Sequence, residues 1–151
     1  ECRRVLFRSF DLDGTLCDIT HRLHYVRSKP YNWPAFEKGV SGDSPNEDIV
    51  SLYEVFAESG EHTIILCSGR SEDSREATEQ WLKDNGLCAH VDLLMRPSKN
   101  YEKDSIIKGR LADQIEEQYG KIDLVIDDRQ QVVDMWRERG ITTLQCAEGD
   151  F

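Results

Sequence analysis

The sequence predicts an α/β fold: a mainly parallel sheet between two helical layers, with a small insertion after the first strand. Two observations carry this. Short apolar runs alternate along the 151 residues with amphipathic patterns long enough for helices, and strands separated by such helices join through right-handed crossovers into a parallel sheet. The most apolar runs, Ile64-Ile65-Leu66-Cys67 and Leu124-Val125-Ile126, are far too short to span a bilayer and read as buried strands.

The first strand is expected over 5–11. Arg8 and Ser9 interrupt it where a buried strand calls for apolar side chains, and Leu6-Phe7-Arg8-Ser9 is one translation of a common sequencing-library adapter. Residues 1–9 are therefore expected to be partly non-native, and the start at Glu1 is that of a fragment or a processed product. Residues 17–43 break the alternation with Pro30, Pro34 and scattered aromatics, and read as an irregular cap over the active edge of the sheet. A helix over 45–59 opens on Ser44-Pro45-Asn46-Glu47, the pattern of a capping box with Pro at the first helical position. It places Ile49, Leu52, Tyr53 and Phe56 on one face and stops at Gly60.

A second strand follows over 63–67, then a helix over 73–84 with Ala77 and Trp81 inward and Asn85-Gly86 as its left-handed stop. A third strand over 92–95 precedes a helix over 103–119 with Ile107, Leu111 and Ile115 in register. Strand 122–127, helix 130–139 with Val132, Val133 and Trp136 inward, and strand 142–145 complete a single domain over 1–151, without internal repeats.

Composition narrows the function. With 29 acidic residues against 19 basic ones the net charge is −10, so extended duplex binding by phosphate neutralisation is not expected. An enzyme acting on a nucleotide or a nucleic-acid end remains compatible, because a few local cations suffice. Five cysteines, an odd number without C-x-x-C spacing, suit reduced thiols in a cytoplasmic compartment. No membrane association is expected, and the sequence leaves oligomeric state open.

In a parallel α/β sheet the active site forms outside the carboxyl ends of the strands, so the polar residues after each apolar run are the candidates. Asp11-Leu12-Asp13-Gly14-Thr15 sets two carboxylates two residues apart before a tight turn. A calcium loop starting at Asp11 would need Gly and Glu where Leu16 and Arg22 stand. Ser68-Gly69-Arg70 offers a phosphate cradle or an ordinary strand-to-loop turn. Asp127-Asp128 suits a hard cation such as Mg²⁺, with an acidic helix start as the plain alternative. Asp104 and Lys108, four apart, form either a surface pair or a fixed cation beside the acids. His21 and His24 have no third ligand at zinc spacing. Tyr25, Tyr31, Trp33 and Phe36 read first as packing the insertion onto the sheet, and second as a stacking surface for a base or sugar.

Asp11-Leu12-Asp13-Gly14-Thr15, Ser68, Lys108 and Asp127-Asp128 resemble, in order and spacing, the four motifs of the haloacid dehalogenase (HAD) superfamily. Within it, Ile126-Asp127-Asp128-Arg129, Gln131-Val132-Val133, Met135-Trp136-Arg137 and Gly149-Asp150-Phe151 resemble the 3′-phosphatase domain of bacteriophage polynucleotide kinase/phosphatases, as do Arg22, Arg70 and the Asp104–Lys108 pair. The insertion differs from that family in length and sequence, and the family's kinase half has no counterpart in these residues.

The resemblance implies a HAD-like, Rossmannoid three-layer α/β/α phosphatase that cleaves phosphomonoesters through an aspartyl phosphate. Asp11 would be the nucleophile and Asp13 the acid and base. Ser68 and Lys108 would bind the phosphoryl group, with Asp104 fixing Lys108, and Arg22 and Arg70 would hold the substrate. Mg²⁺ would be held by Asp11, Asp127 and the main-chain carbonyl of Asp13, with Asp128 adding a ligand through water. The implied substrate is a 3′-phosphorylated polynucleotide end or nucleotide, in a host cytoplasm if phage-encoded. A phosphatase of small metabolites or 5′-nucleotides is the nearer alternative, and a non-catalytic binding module the more distant one.

Overall fold

The computed structural model describes residues 4–150. Five strands, β1 (Leu6–Phe10), β4 (His62–Ser71), β5 (His90–Arg96), β6 (Leu124–Asp127) and β7 (Thr142–Gln145), form one parallel sheet in the order β5-β4-β1-β6-β7. Alternation along β4 divides the core. Ile64 and Leu66 join Phe10, Tyr53 and Trp81 under helices α3 (Glu47–Ser59) and α4 (Arg75–Asp84). Ile65 and Cys67 join Ile107, Ile115, Val132 and Trp136 under α5 (Asp104–Tyr119) and α6 (Gln130–Glu138). The expected three layers follow from this two-residue period.

Arg8 and Ser9 do not break β1. Strand pairing is a backbone property, and Arg8 pairs with Ile64 and Leu124 while Ser9 pairs with Ile65 and Val125. The cost falls on the side chains: Ser9 Oγ and Arg8 Nε are buried without a hydrogen-bond partner among the described residues, and the Arg8 guanidinium lies 5.3 Å over the Phe56 ring. Residues 1–3 of the segment expected to be partly non-native lie outside the described residues.

The insertion is mainly helical. A two-stranded antiparallel ribbon, β2 (Cys17–Asp18) with β3 (Ser44–Pro45), closes its base. Between them lie two 3₁₀ turns, Thr20–Arg22 and Gly39–Gly42, and the short helices α1 (His24–Arg27) and α2 (Trp33–Lys38). Asn32 Oδ1 caps α2 by accepting from Ala35 N–H at 3.1 Å, and Trp81 Nε1–H donates to the Asp43 carbonyl at 2.7 Å, tying the insertion to α4.

Ser44-Pro45 thus belongs to the ribbon, and the expected capping box does not form. Asn46 takes the position before α3, and its amide donates to Thr15 O at 2.8 Å while its N–H donates to Leu16 O at 2.9 Å. β4 extends four residues beyond the expected end, to Ser71, and carries Ser68 and Arg70 with it. Cys17, Cys67, Cys88 and Cys146 are free thiols, and Cys2 lies outside the described residues. Among the described residues no helix is long and apolar enough to cross a membrane.

Candidate active site

β1, β4 and β6, the three central strands, bring their carboxyl-terminal ends and the residues beside them to one edge. After β1 the chain turns tightly, with Thr15 N–H and Cys17 N–H both donating to Leu12 O at 3.0 and 2.9 Å. Gly14 sits at φ +81°, and a Cβ there would lie 2.1 Å from Asp128 Oδ2. The residue must be glycine both for its backbone angle and for the approach of Asp128.

Asp11, Asp127 and Asp128 are buried, each offering a carboxylate oxygen within 4.8 Å of the others. Lys108, reaching in from α5 and 1% exposed, is the cation opposing them. Its Nζ donates to Asp11 Oδ1 at 2.7 Å and to Asp127 Oδ2 at 2.8 Å. Thr15 Oγ1–H donates to Asp11 Oδ2 at 3.1 Å, and Asp127 Oδ1 accepts from Asp128 N–H at 2.9 Å. Burial and the Asp127 charge push the Asp11 carboxyl well above the usual carboxylate range, with Lys108 opposing them. Asp128 rises to about 6 for the same two reasons. Burial disfavours the ammonium of Lys108, but Asp11 and Asp127 outweigh it and hold the group charged. Three buried acids against one ammonium leave surplus negative charge on hard oxygen donors, the surroundings that fit Mg²⁺.

Asp13 faces the other way. Its Oδ1 accepts from Arg70 Nε and Nη2 at 2.8 and 2.6 Å and from Arg22 Nη2 at 2.8 Å. Burial raises its carboxyl, but the guanidiniums of Arg70 and Arg22 prevail and hold it below the usual range. Both arginines also grip Asp43: Arg22 Nε and Nη2 at 2.7 and 2.8 Å, and Arg70 Nη2 at 2.7 Å. Arg22 Nη1 donates to Phe36 O at 3.3 Å and Arg70 Nη1 to Thr78 Oγ1 at 3.0 Å. The two arginines therefore act here as the clamp on Asp13, whose side chain keeps 24% exposure at the site's mouth.

Ser68 Oγ, buried, accepts from Arg70 N–H at 3.1 Å. Asp104 does not touch Lys108. It pairs with Arg96 at 3.3 Å and Arg129 at 3.5 Å, and a Cβ on Gly69 would lie 2.1 Å from its Oδ1. Arg96 in turn donates to Gly69 O at 2.8 Å, fixing the end of β4 that carries Ser68. All the sequence-derived candidates thus converge on one edge, with Asp13 assigned to the arginine clamp and Asp104 to Arg96 and Arg129. Asp43 and Arg96 belong to the same network but carry no motif in the sequence. Asp43 follows Gly42 and precedes Ser44-Pro45, a composition that signals only a turn.

A parallel α/β sheet with Asp11-x-Asp13 after its central strand and a buried lysine bridging Asp11 and Asp127 defines a phosphatase of the haloacid dehalogenase-like class. The fold agrees. A haloacid dehalogenase-like hydrolase from Streptococcus pneumoniae superposes with a TM-score of 0.63 at 16% identity, covering 92% of this chain and 83% of that one. More specifically, the profile of the polynucleotide kinase PNKP phosphatase domain matches residues 7–151, and the chain belongs to that family. A bifunctional polynucleotide kinase/RNA ligase described from Autographa californica nuclear polyhedrosis virus is 31% identical over 135 residues, 89% of this chain and 18% of that protein. A chain of a Pnkp1/Rnl/Hen1 RNA repair complex superposes with a TM-score of 0.82 at 32% identity, covering 100% of this chain and 45% of that one. The chain therefore spans under half the length of these two relatives.

Proposed function

We propose that this domain removes 3′-phosphates from polynucleotide ends through an aspartyl phosphate, with Mg²⁺ as cofactor. The supporting observation is the division of labour between two buried clusters: Asp11, Asp127, Asp128 and Lys108 on one side, and Asp13 with its two arginines on the other.

Asp11 is the nucleophile. Lys108 and Thr15 hold its two oxygens, orienting the carboxylate for in-line attack on phosphorus. The new Asp11 O–P bond forms as the ester P–O bond breaks, and Asp13 gives its proton to the departing oxygen. Asp13 then takes a proton from water, whose oxygen attacks phosphorus and breaks the Asp11 O–P bond, releasing inorganic phosphate. Asp13 rests as a carboxylate between Arg22 and Arg70, and the negative charge of an arriving phosphate favours its protonation. Lys108 and Ser68 meet the phosphoryl oxygens. Asp11, Asp127 and Asp128, with the Asp13 carbonyl, would hold Mg²⁺, which supplies charge neutralisation to the phosphoryl group when bound.

The 3′ assignment rests on family membership and on the kinship with repair proteins. It is tested by phosphate release, with and without Mg²⁺, from a 3′-phosphorylated oligonucleotide, its 5′-phosphorylated isomer and the corresponding nucleoside monophosphates. The expected result is Mg²⁺-dependent release with a clear 3′ preference, absent in a folded Asp11→Asn variant. Equal or better turnover of 5′-monophosphates would make the protein a nucleotide phosphatase instead, and retained activity in Asp11→Asn would refute the nucleophile.

A further inference from the structure

The insertion's aromatics do not all pack onto the sheet. Tyr31 and Trp33 remain 49% and 54% exposed, although transfer of an indole from water is favourable by a few kcal/mol in general. They form a row. Tyr31 meets Trp33 edge-on at 6.4 Å between centroids, Trp33 meets Phe36 at 5.7 Å and 87°, and the Phe36 ring covers the Arg22 guanidinium at 4.3 Å. Arg22 is the clamp on Asp13 at 2.8 Å. The row therefore begins in solvent and ends one residue from the proposed catalytic acid.

Charge points the same way. The chain carries −10 overall, yet residues 20–38 hold Arg22, Arg27, Lys29 and Lys38 against one acid, Glu37. Arg27, Lys29 and Lys38 are exposed and form no ion pair among the described residues. Flat aromatic faces interleaved with free cations fit alternating bases and phosphates, and suit unpaired strands because stacking needs an exposed base face. An acidic or apolar protein partner would leave one half of this pattern unused.

We infer that the insertion is a single-strand tract: Trp33, supported by Tyr31, stacks on a base upstream of the phosphorylated end, and Arg27 and Lys29 meet the intervening phosphates. The inference rests on the proposed phosphatase reading for where the strand ends. It sets the preferred substrate as an oligonucleotide rather than a mononucleotide.

The test separates binding from turnover. Fluorescence anisotropy of a labelled single-stranded oligonucleotide with a 3′-hydroxyl is measured against the full chain, Trp33→Ala, Trp33→Tyr and Arg27→Ala/Lys29→Ala. Trp33→Ala is expected to weaken binding about tenfold, the worth of one stacked base, and Trp33→Tyr to restore most of it. The double variant is expected to flatten the salt dependence. In turnover, the ratio of kcat/KM for 3′-phosphorylated oligonucleotide over 3′-mononucleotide falls by a similar factor in Trp33→Ala. Unchanged affinity and an unchanged ratio in Trp33→Ala overturn the inference even if the protein is a 3′-phosphatase. Trp33-dependent binding without phosphate release supports it while removing the phosphatase reading.

Discussion

Lys108 carries more of the site than any other single side chain. Its ammonium is fully buried, and its neighbours Asp11 and Asp127 both accept from it. Removing one partner from a buried ionic cluster leaves the others uncompensated, at a cost of about 3–5 kcal/mol. Lys108→Met is therefore expected to lower the melting temperature strongly in EDTA and to abolish phosphate release. Mg²⁺ should restore part of the stability, because a divalent cation replaces the missing charge among the acids, and thermal melts with and without Mg²⁺ read this directly. Asp128 makes the opposite case. Its folded-state carboxyl is raised from 3.8 to about 6, so the fold favours the protonated form. That stabilisation is present below about pH 4 and lost as pH rises through about 6. Asp128→Asn keeps the shape and never ionises. In EDTA at about pH 8 it should be more stable than the parent by up to about 3 kcal/mol, with the difference vanishing near pH 4. A pH series of denaturant titrations checks it, and a constant difference across the series would remove burial and charge repulsion as the cause.

At the scale of elements, the apolar pattern specifies strands and crossover helices well, because burial on a two-residue period leaves a direct imprint. It fails where polar residues are buried for other reasons. β4 extends through Ser68, Gly69, Arg70 and Ser71 although nothing about those side chains suggests a strand. Asp11, Asp13, Ser68 and Asp127 are legible as candidates because they follow apolar runs, and the structure brings them to one edge of the sheet. Asp43 is not legible, because its role arises from a long-range meeting with Arg22 and Arg70. Ser44-Pro45 has the local chemistry of a helix start, yet the ribbon with Cys17–Asp18 takes those residues, tertiary pairing overriding a local preference. β1 carries the clearest local conflict, a buried hydroxyl at Ser9 with no partner among the described residues. Ser9→Ala removes the unsatisfied group without adding volume, so it should raise unfolding stability by about 1–2 kcal/mol. Urea titration measures this, and a destabilised variant would mean that the hydroxyl has a partner the structure does not show.

For the whole molecule, the site stores a repulsion that a bound cation would relieve. Excess acid over base gives the chain its −10 charge, and three of those acids are buried at the meeting point of β1 and β6. A cation that binds only the folded cluster stabilises the entire domain by mass action, by about 3 kcal/mol when present at a hundredfold over its dissociation constant. For a domain of this size that corresponds to a rise of about 5–10 °C in melting temperature. The rise should require the full acid set: Asp127→Asn should lose most of it, whereas monovalent salt at matched ionic strength should not reproduce it, since screening acts weakly on buried charges. Differential scanning calorimetry of the two proteins in EDTA, Mg²⁺ and NaCl distinguishes these outcomes. An equal shift in wild type and Asp127→Asn would place the stabilising cation elsewhere on the acidic surface, leaving Lys108, which bonds Asp11 and Asp127, to offset the charge of the buried acids.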